Sequence, residues 1–118
     1  MQCMADYRDL IVWKKSMELV ACIYCLTRDF PHNEQYGLTS QMRRAAVSIP
    51  SNIAEGSRRK NKDSKHFLMI SFGSASELET QLEISKILNV GKKEEREKCE
   101  SLLNEVLRML NRMTANYY

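Results

Sequence analysis

Residues 41–62 read QMRRAAVSIPSNIAEGSRRKNK, a stretch that combines an apolar helical pattern, an internal proline and the densest basic run of the chain. Its apolar residues recur at steps of three and four, which is the spacing of one stripe on an α-helix. They are Met42, Ala45, Ala46, Ile49 and Ile53. Pro50 interrupts the pattern, and because proline removes a backbone donor and crowds the Ala46 carbonyl, we expect a kinked helix. Ser48 or Ser51 is expected to bond to the freed groups.

Positive charge is concentrated in the same part of the chain. The formal net charge is +3, but residues 41–66 contain seven basic residues and two acidic ones, so this segment carries +5 and the remainder −2. Gly56 ends or loosens the helix, and a basic connection follows it. This connection could line the phosphates of RNA or DNA. The nucleic-acid site is predicted to consist of Arg43, Arg58, Arg59, Lys60, Lys62 and Lys65.

The alternative interpretation of this basic segment is a solvated loop. No aromatic residue is interleaved with the basic residues to stack on bases, and no recognised RNA-binding signature occurs. If several copies of the chain assemble, however, repetition would strengthen a weak phosphate contact. The predicted signature of such binding is a steep dependence on salt.

The face of this helix opposite the apolar stripe carries small and polar residues, where a monomeric bundle would have long charged side chains. They are Arg44, Ser48, Ser51, Asn52 and Glu55. Arg44 and Glu55 are three turns apart, roughly 16 Å at the helical rise, so they cannot pair within one straight helix. We expect this face to contact a neighbouring copy of the chain. The alternative is that both charged groups are solvated.

A chain of 118 residues is expected to form one domain, with an ordered core at about residues 7–115. Apolar periodicity predicts a first helix at residues 10–30, the Pro50 helix, a third at 65–89 and a fourth from residue 92. The connections are short. The predicted fold class is therefore all-α, an antiparallel up-down-up-down four-helix bundle with a proline-kinked second helix.

Local signals predict where the helices begin and which faces they bury. The predicted caps are Asp9, then Thr39 or Ser40, then Asp63 or Ser64. The predicted core stripe of the first helix is Leu10, Trp13, Met17, Val20, Tyr24 and Thr27. In the third helix, small residues at 71–76 indicate close approach by another backbone, and apolar residues on more than one side predict neighbours on two sides.

Three segments together resemble a known family. Residues 7–13 read YRDLIVW, residues 36–56 read YGLTSQMRRAAVSIPSNIAEG, and residues 71–82 read SFGSASELETQL. This pattern resembles the four-helix-bundle family of 23S ribosomal RNA intervening-sequence proteins, also called the S23 ribosomal protein family. The resemblance covers most of the chain, and the fourth helix contributes little to it.

The resemblance implies a ring-shaped homopentamer, in a family often encoded within insertions in large ribosomal RNA genes. The chain is more distantly similar to the accessory protein of diversity-generating retroelements. That similarity implies, besides the chain itself, RNA or DNA and a protein such as a reverse transcriptase as partners.

Catalytic and metal sites are not predicted. His32 and His66 have no nucleophile or acid at the spacing of a triad. Glu79 and Glu83 share a helical face, but no Glu-x-x-His motif accompanies them, as a di-metal bundle site would require. We therefore predict no enzyme activity, no metal and no cofactor.

The cysteines are predicted to be reduced, because a helical chain of this size needs no disulfide. Cys22 and Cys25 have the spacing of a Cys-x-x-Cys motif, but they lie inside the first predicted helix without a second ligand pair. Their predicted role is core packing. Cys3 and Cys99 complete the set.

The expected location is the cytoplasm, without membrane contact. No segment approaches the ~20 apolar residues of a membrane helix, and the first residues, MQCMADYRD, lack a signal-peptide pattern. Two functions remain: a nucleic-acid-associated accessory protein that uses the basic loop, or a homopentameric protein-interaction scaffold that binds no nucleic acid.

Overall fold

The fold was obtained as a computed structural model, which describes residues 6–59 and 62–115, with the backbone but not the side chain of Lys62. The helices are α1 (Ile11–Arg28), α2 (Leu38–Ser57), α3 (Lys62–Leu88) and α4 (Lys93–Ala115). Two short 3-10 helices, Tyr7–Asp9 and His32–Glu34, precede α1 and α2. No strand occurs in the described ranges, so the all-α fold class is confirmed.

The four helices form an antiparallel bundle. Each helix packs against its neighbour along the chain, and α4 returns to pack against α1. Between α1 and α4, Lys15 pairs with Glu105 and Cys22 contacts Cys99, so the two helices run in opposite directions. The up-down-up-down architecture predicted from the short connections is confirmed.

The stripe of residues 42–53 on α2 is buried as predicted, with no member more than 5% exposed. Pro50 lies inside α2, and side chains bond to the three carbonyls that precede it. The pairs are Ser51 Oγ to Val47 O at 2.7 Å, Asn52 Nδ2 to Ser48 O at 2.8 Å, and Ser71 Oγ to Ile49 O at 2.9 Å. These bonds support the backbone next to the Ala46 carbonyl, which proline deprives of its usual donor.

The predicted cap of α1 is wrong. Asp9 lies within the first 3-10 helix, and α1 follows Leu10 without a side-chain cap. Asp6 caps the 3-10 helix instead, because its Oδ1 accepts the Arg8 N–H at 2.9 Å.

The predicted caps of α2 and α3 are also wrong. Thr39 lies inside α2, as does Ser40, and the Oε2 of Glu34 accepts the Leu38 N–H at 3.2 Å. The 3-10 turn before α2 brings Glu34 to this position, which the sequence pattern does not reveal. Helix α3 begins at Lys62, so the predicted capping residues, Asp63 and Ser64, lie in its first turn.

The predicted core stripe of α1 is displaced by about one residue from the observed one. Met17 and Tyr24 are 44% and 40% exposed, and Trp13 is half-buried. The buried positions are Val12, Ser16, Leu19, Cys22, Ile23, Leu26 and Thr27. Ser16 and Thr27 tolerate burial because each hydroxyl donates to a carbonyl of its own helix, at 2.8 Å.

The small residues of α3 serve two different surfaces. Ser71 and Ala75 are fully buried and let α2 approach closely, as predicted. Gly73 faces open space, because a Cβ placed on it would meet nothing within 4 Å. The predicted neighbours on two sides of α3 are confirmed, since α3 packs against both α2 and α4. Five further apolar residues lie on an exposed side of α3: Met69, Ile70, Ile84, Ile87 and Leu88.

The turn between α3 and α4 depends on Gly91 and Arg96. Gly91 has a φ of +82°, and a Cβ there would lie 2.6 Å from Leu26 Cδ1 and 2.8 Å from Phe30 Cε1. Arg96 is only 6% exposed, and it donates to Ser85 Oγ at 3.2 Å and Val90 O at 2.7 Å. A cation is favourable at this position because the carbonyls at the end of α3 carry partial negative charge.

Candidate nucleic-acid interface at one end of the bundle

Antiparallel packing brings the start of α1, the end of α2, the start of α3 and the end of α4 to the same end of the bundle. Arg112 of α4 lines a shallow groove there with Asp9 and Leu10. We call this region the basic end and define it by Arg8, Arg58, Arg59, Lys65 and Arg112. Only part of it lies in the continuous basic stretch of the sequence.

The basic end contains aromatic rings beneath its guanidinium groups. The Cζ atoms of Arg8 and Arg58 lie 4.7 and 5.2 Å from the centre of the Tyr7 ring. The Cζ of Arg59 lies 5.3 Å from the centre of the Phe67 ring. These distances are typical of cation–π contacts, so the rings hold the guanidinium groups in defined positions.

The arginines of the basic end differ in their charge partners. Arg8 pairs with Asp6 at 2.9 Å, and Arg59 pairs with Glu55 at 3.5 Å. Arg58 is exposed and forms an ion pair with no described residue. It is therefore the arginine of the predicted loop whose charge is most available to an anion. Lys65 is half-buried, while Lys60 and the side chain of Lys62 lie outside the described residues.

Arg43 does not join the other predicted phosphate-binding residues. It precedes Arg58 by fifteen positions on α2, which is roughly 22 Å along the helix axis. Its Nε donates to Thr27 Oγ1 at 2.9 Å, and its Cζ lies 4.5 Å from the centre of the Tyr24 ring. Arg43 thus fastens α2 to α1, and the structure divides the predicted site into two separate places.

The polar face of α2 is partly occupied within the chain. Ser48 and Ser74 share a hydrogen bond of 2.8 Å between their hydroxyls, and Asn52 Nδ2 donates to Ser48 Oγ at 3.0 Å. These groups therefore connect α2 to α3, which explains why small polar residues occur there. Subunit contact by the face of Arg44, Ser48, Ser51, Asn52 and Glu55 stays a prediction, in which Arg44 and Ser51 are the exposed members.

Sequence reasoning missed Arg8, Tyr7 and Phe67 as members of the candidate interface. Tyr7 is far from the basic loop along the chain, so a search for interleaved aromatic residues does not detect it. Phe67 follows Lys65 by two positions, but only the fold places its ring under Arg59. The available signal is topological. In an antiparallel bundle the start of the first helix lies beside the end of the second, which places residues 7 and 8 near residue 58.

Among the described residues, no group of three or more His, Cys, Asp or Glu side chains could hold a metal ion. His32 and His66 are exposed, and the His66 ring contacts Phe67 with ring centres 5.4 Å apart. Within the part of the chain that the structure describes, no helix is long and apolar enough to span a bilayer.

The fold and the interface together define a class: a small antiparallel four-helix bundle with a cluster of arginines at one end. The family model of the 23S rRNA-intervening sequence proteins matches residues 8–112, and the chain belongs to this family. The matched range includes all four helices except the last residues of α4.

A solved structure supports the same placement. The chain is similar to a protein of unknown function from the S23 ribosomal protein family of Bacteroides thetaiotaomicron VPI-5482, with 26% sequence identity and a TM-score of 0.77. The alignment covers 88% of this chain and 98% of that one. No curated protein sequence matches the chain.

Proposed function

We propose that this protein binds RNA through the basic end and acts as a nucleic-acid-associated accessory protein. The observation that carries the proposal is Arg58, which is exposed, stacked over the Tyr7 ring and not ion-paired to any described residue. The family association with 23S rRNA intervening sequences supports RNA as the first nucleic acid to test.

The chemistry of the basic end suits a phosphate backbone with unstacked bases. A guanidinium group can donate two parallel hydrogen bonds to one phosphate. Its planar face can also stack on a base, as single-stranded RNA recognition requires. The Tyr7 ring holds Arg8 and Arg58 together, so binding costs less side-chain ordering than binding by two independent surface arginines.

The test is fluorescence anisotropy with a labelled single-stranded RNA over a range of salt concentrations. We expect affinity to fall steeply with salt, because phosphate binding releases counterions. Replacing both Arg58 and Arg59 by Ala is expected to weaken binding by at least about tenfold at low salt, with a smaller salt slope.

The matched control carries the same charge change at the opposite end of the bundle. Lys92 and Lys93 are exposed there, and they pair with Asp29 at 3.8 Å and Glu97 at 3.9 Å. Replacing both by Ala should leave RNA affinity nearly unchanged. If the two double variants lost equal RNA affinity, the RNA would be attracted by net charge alone and not by the basic end. Binding that does not depend on salt, or no binding to RNA at all, would reject the proposal. A DNA of the same sequence tests selectivity.

A second candidate function is a homo-oligomeric scaffold, and two exposed apolar surfaces favour it. One is a groove between α1 and α2, lined by Tyr7, Trp13, Met17, Val20, Val47, Pro50, Ser51 and Ala54. The other is the exposed side of α3 described above, where Ile87 is 81% exposed. Because the two surfaces belong to different helices, contact between them would be head-to-tail, which is the arrangement that closes into rings.

The scaffold candidate is tested by native mass in solution. Val47→Glu places a charge in the groove at a position that is 42% exposed in the single chain, so the fold should persist while assembly is lost. Tyr36→Glu, at a residue that is 90% exposed and outside both surfaces, is the control. A wild-type chain that stays monomeric at high concentration would eliminate this candidate.

A further inference from the structure

We infer that Cys22 and Cys99 form an oxidisable dithiol, in which a peroxide converts Cys22 to a sulfenic acid and Cys99 closes a disulfide between α1 and α4. The two Sγ atoms lie 2.7 Å apart across the interface of these helices. A disulfide needs ~2.05 Å, so bond formation requires movement of less than about one ångström. Both residues are free thiols.

One of the two sulfurs can be reached from the surface. Cys22 is 8% exposed and lines a groove between α1 and α4 together with Glu18, Ala21, Cys25, Lys98 and others, whereas Cys99 is fully buried. A peroxide is small enough to enter such a groove. This geometry assigns Cys22 as the sulfur that is attacked first and Cys99 as the sulfur that resolves it.

The surroundings of the pair favour the same assignment. The Cys99 thiol donates to Cys22 Sγ and thereby lowers the pKa of Cys22 below its ordinary value, against the effect of burial, and the Lys98 charge lowers it further. The same hydrogen bond and burial raise the pKa of Cys99. Cys22 is therefore the better thiolate, and the thiolate is the form that reacts with oxidants.

The reaction balances in two steps. The Cys22 thiolate attacks one oxygen of hydrogen peroxide, the O–O bond breaks, and hydroxide leaves, which gives the sulfenic acid. The Cys99 sulfur then attacks the sulfenic sulfur of Cys22, the S–S bond forms and the S–O bond breaks, and the leaving hydroxide takes the Cys99 proton to become water. The hydroxide released in the first step takes up the proton that Cys22 lost when it ionised, which gives the second water. Overall, two thiols and one peroxide give one disulfide and two waters, and two electrons pass from sulfur to oxygen.

The exposed Cys25 provides an internal comparison. It lies one helical turn from Cys22 on α1 and lines the same groove. If exposure alone controlled oxidation, Cys25 would react before the buried pair. The dithiol predicts the reverse order, because Cys25 lies in no such contact with a second described thiol. Cys3 lies outside the described residues.

The experiment treats the reduced protein with increasing hydrogen peroxide, quenches with catalase, unfolds it, alkylates free thiols and maps peptides without reduction. Trypsin releases residues 16–28, which contain Cys22 and Cys25, and residues 99–108, which contain Cys99. We expect these peptides to be linked, with fragment ions assigning the link to Cys22. Cys22 and Cys99 should lose alkylation together, at peroxide doses that leave Cys25 alkylated.

Three variants sharpen the outcome. Cys25→Ser should retain the link, whereas Cys22→Ser and Cys99→Ala should abolish it. If Cys22→Ser or Cys99→Ala fails to fold, the fragment ions of the wild-type protein still show which cysteine of residues 16–28 forms the link to Cys99. The oxidised protein should also unfold at a midpoint temperature higher by at least roughly 5 °C, because the bridge closes a long loop. Earlier oxidation of Cys25, or a Cys99 that remains alkylatable throughout, would overturn the inference.

Discussion

The two ends of the bundle use arginine in opposite ways. At the α3–α4 turn, Arg96 is buried and its donors are taken up by Ser85 and by the backbone carbonyls of Val90 and Gly91. At the basic end, Arg58 is exposed and lies over an aromatic ring without an ion-pair partner among the described residues. A guanidinium whose donors are already used stabilises the fold, and one whose donors are free is available to a ligand.

The comparison shows why counting basic residues does not locate a binding site. Lys92 and Lys93 are each paired to an acid of the chain, and so is Arg59, whereas Arg58 forms an ion pair with no described residue. The basic end differs because the Tyr7 ring supports Arg58, whose charge is not paired to any described acid. Four predictions test this contrast, in order of decreasing effect.

The largest effect is expected from Arg96→Met. Its removal leaves the half-buried Val90 and Gly91 carbonyls and the buried Ser85 hydroxyl without the donors of Arg96, so we expect the free energy of unfolding to fall by about 3 kcal/mol. Arg58→Met, the matched change at the basic end, should cost less than about 1 kcal/mol, because that contact is exposed. Urea unfolding of both variants measures the difference in unfolding free energy. Equal losses would show that the buried and the exposed arginine stabilise the fold equally.

Gly91→Ala should have the next largest effect. The residue adopts a φ of +82°, and the new methyl group would press on Leu26 and Phe30. Because an L-residue with a Cβ is strained there, we expect a loss of about 2 kcal/mol in unfolding free energy. Thermal unfolding followed by circular dichroism checks it, and an unchanged midpoint would mean that the turn relaxes without strain.

Gly73→Ala should act in the opposite direction. Gly73 lies between the two ends on α3, and its Cβ position is open. Alanine is a better helix former, so the single chain should gain about 1 kcal/mol of stability. The same denaturation series as for Gly91→Ala provides the measurement. A loss of stability that depends on protein concentration would instead show that a second copy packs closely on this glycine.

Tyr7→Leu should have an effect on stability about as small as that of Gly73→Ala, in the opposite direction. It removes the ring below Arg8 and Arg58 and should cost about 0.5 kcal/mol for each of the two cation–π contacts. A double-mutant cycle with Arg58→Met isolates the coupling between ring and guanidinium. If Tyr7 positions Arg58 for RNA, Tyr7→Leu should weaken RNA binding in the wild type and have a smaller further effect in Arg58→Met, where only the support of Arg8 is lost.

The core of α2 could be predicted from sequence, and the core of α1 could not. On α2, apolar residues form a single stripe with polar residues opposite, so periodicity identifies the buried face. On α1, Trp13, Met17 and Tyr24 form one apolar stripe, and Val12, Leu19 and Ile23 form another beside it. Local pattern cannot choose between them, because the choice depends on where α2 and α4 pack.

The candidate site was predictable only as a segment. Arg58 and Arg59 are visible as a basic loop, but the separation of Arg43 from them follows from α2 being one continuous helix. Likewise the Cys-x-x-Cys spacing draws attention to Cys25, whereas the thiol nearest to Cys22 is Cys99, which lies 77 positions away.

Local periodicity and contiguous motifs were enough to predict the helices and their number, the stripe of α2 with Pro50 inside it, and the family. The packing of the helices sets which stripe of α1 is buried and which rings lie under Arg58 and Arg59. It also sets which thiol meets Cys22 and where Arg96 finds its acceptors. Each of these pairings joins residues from different helices, and the antiparallel packing of the bundle sets the register that brings them together.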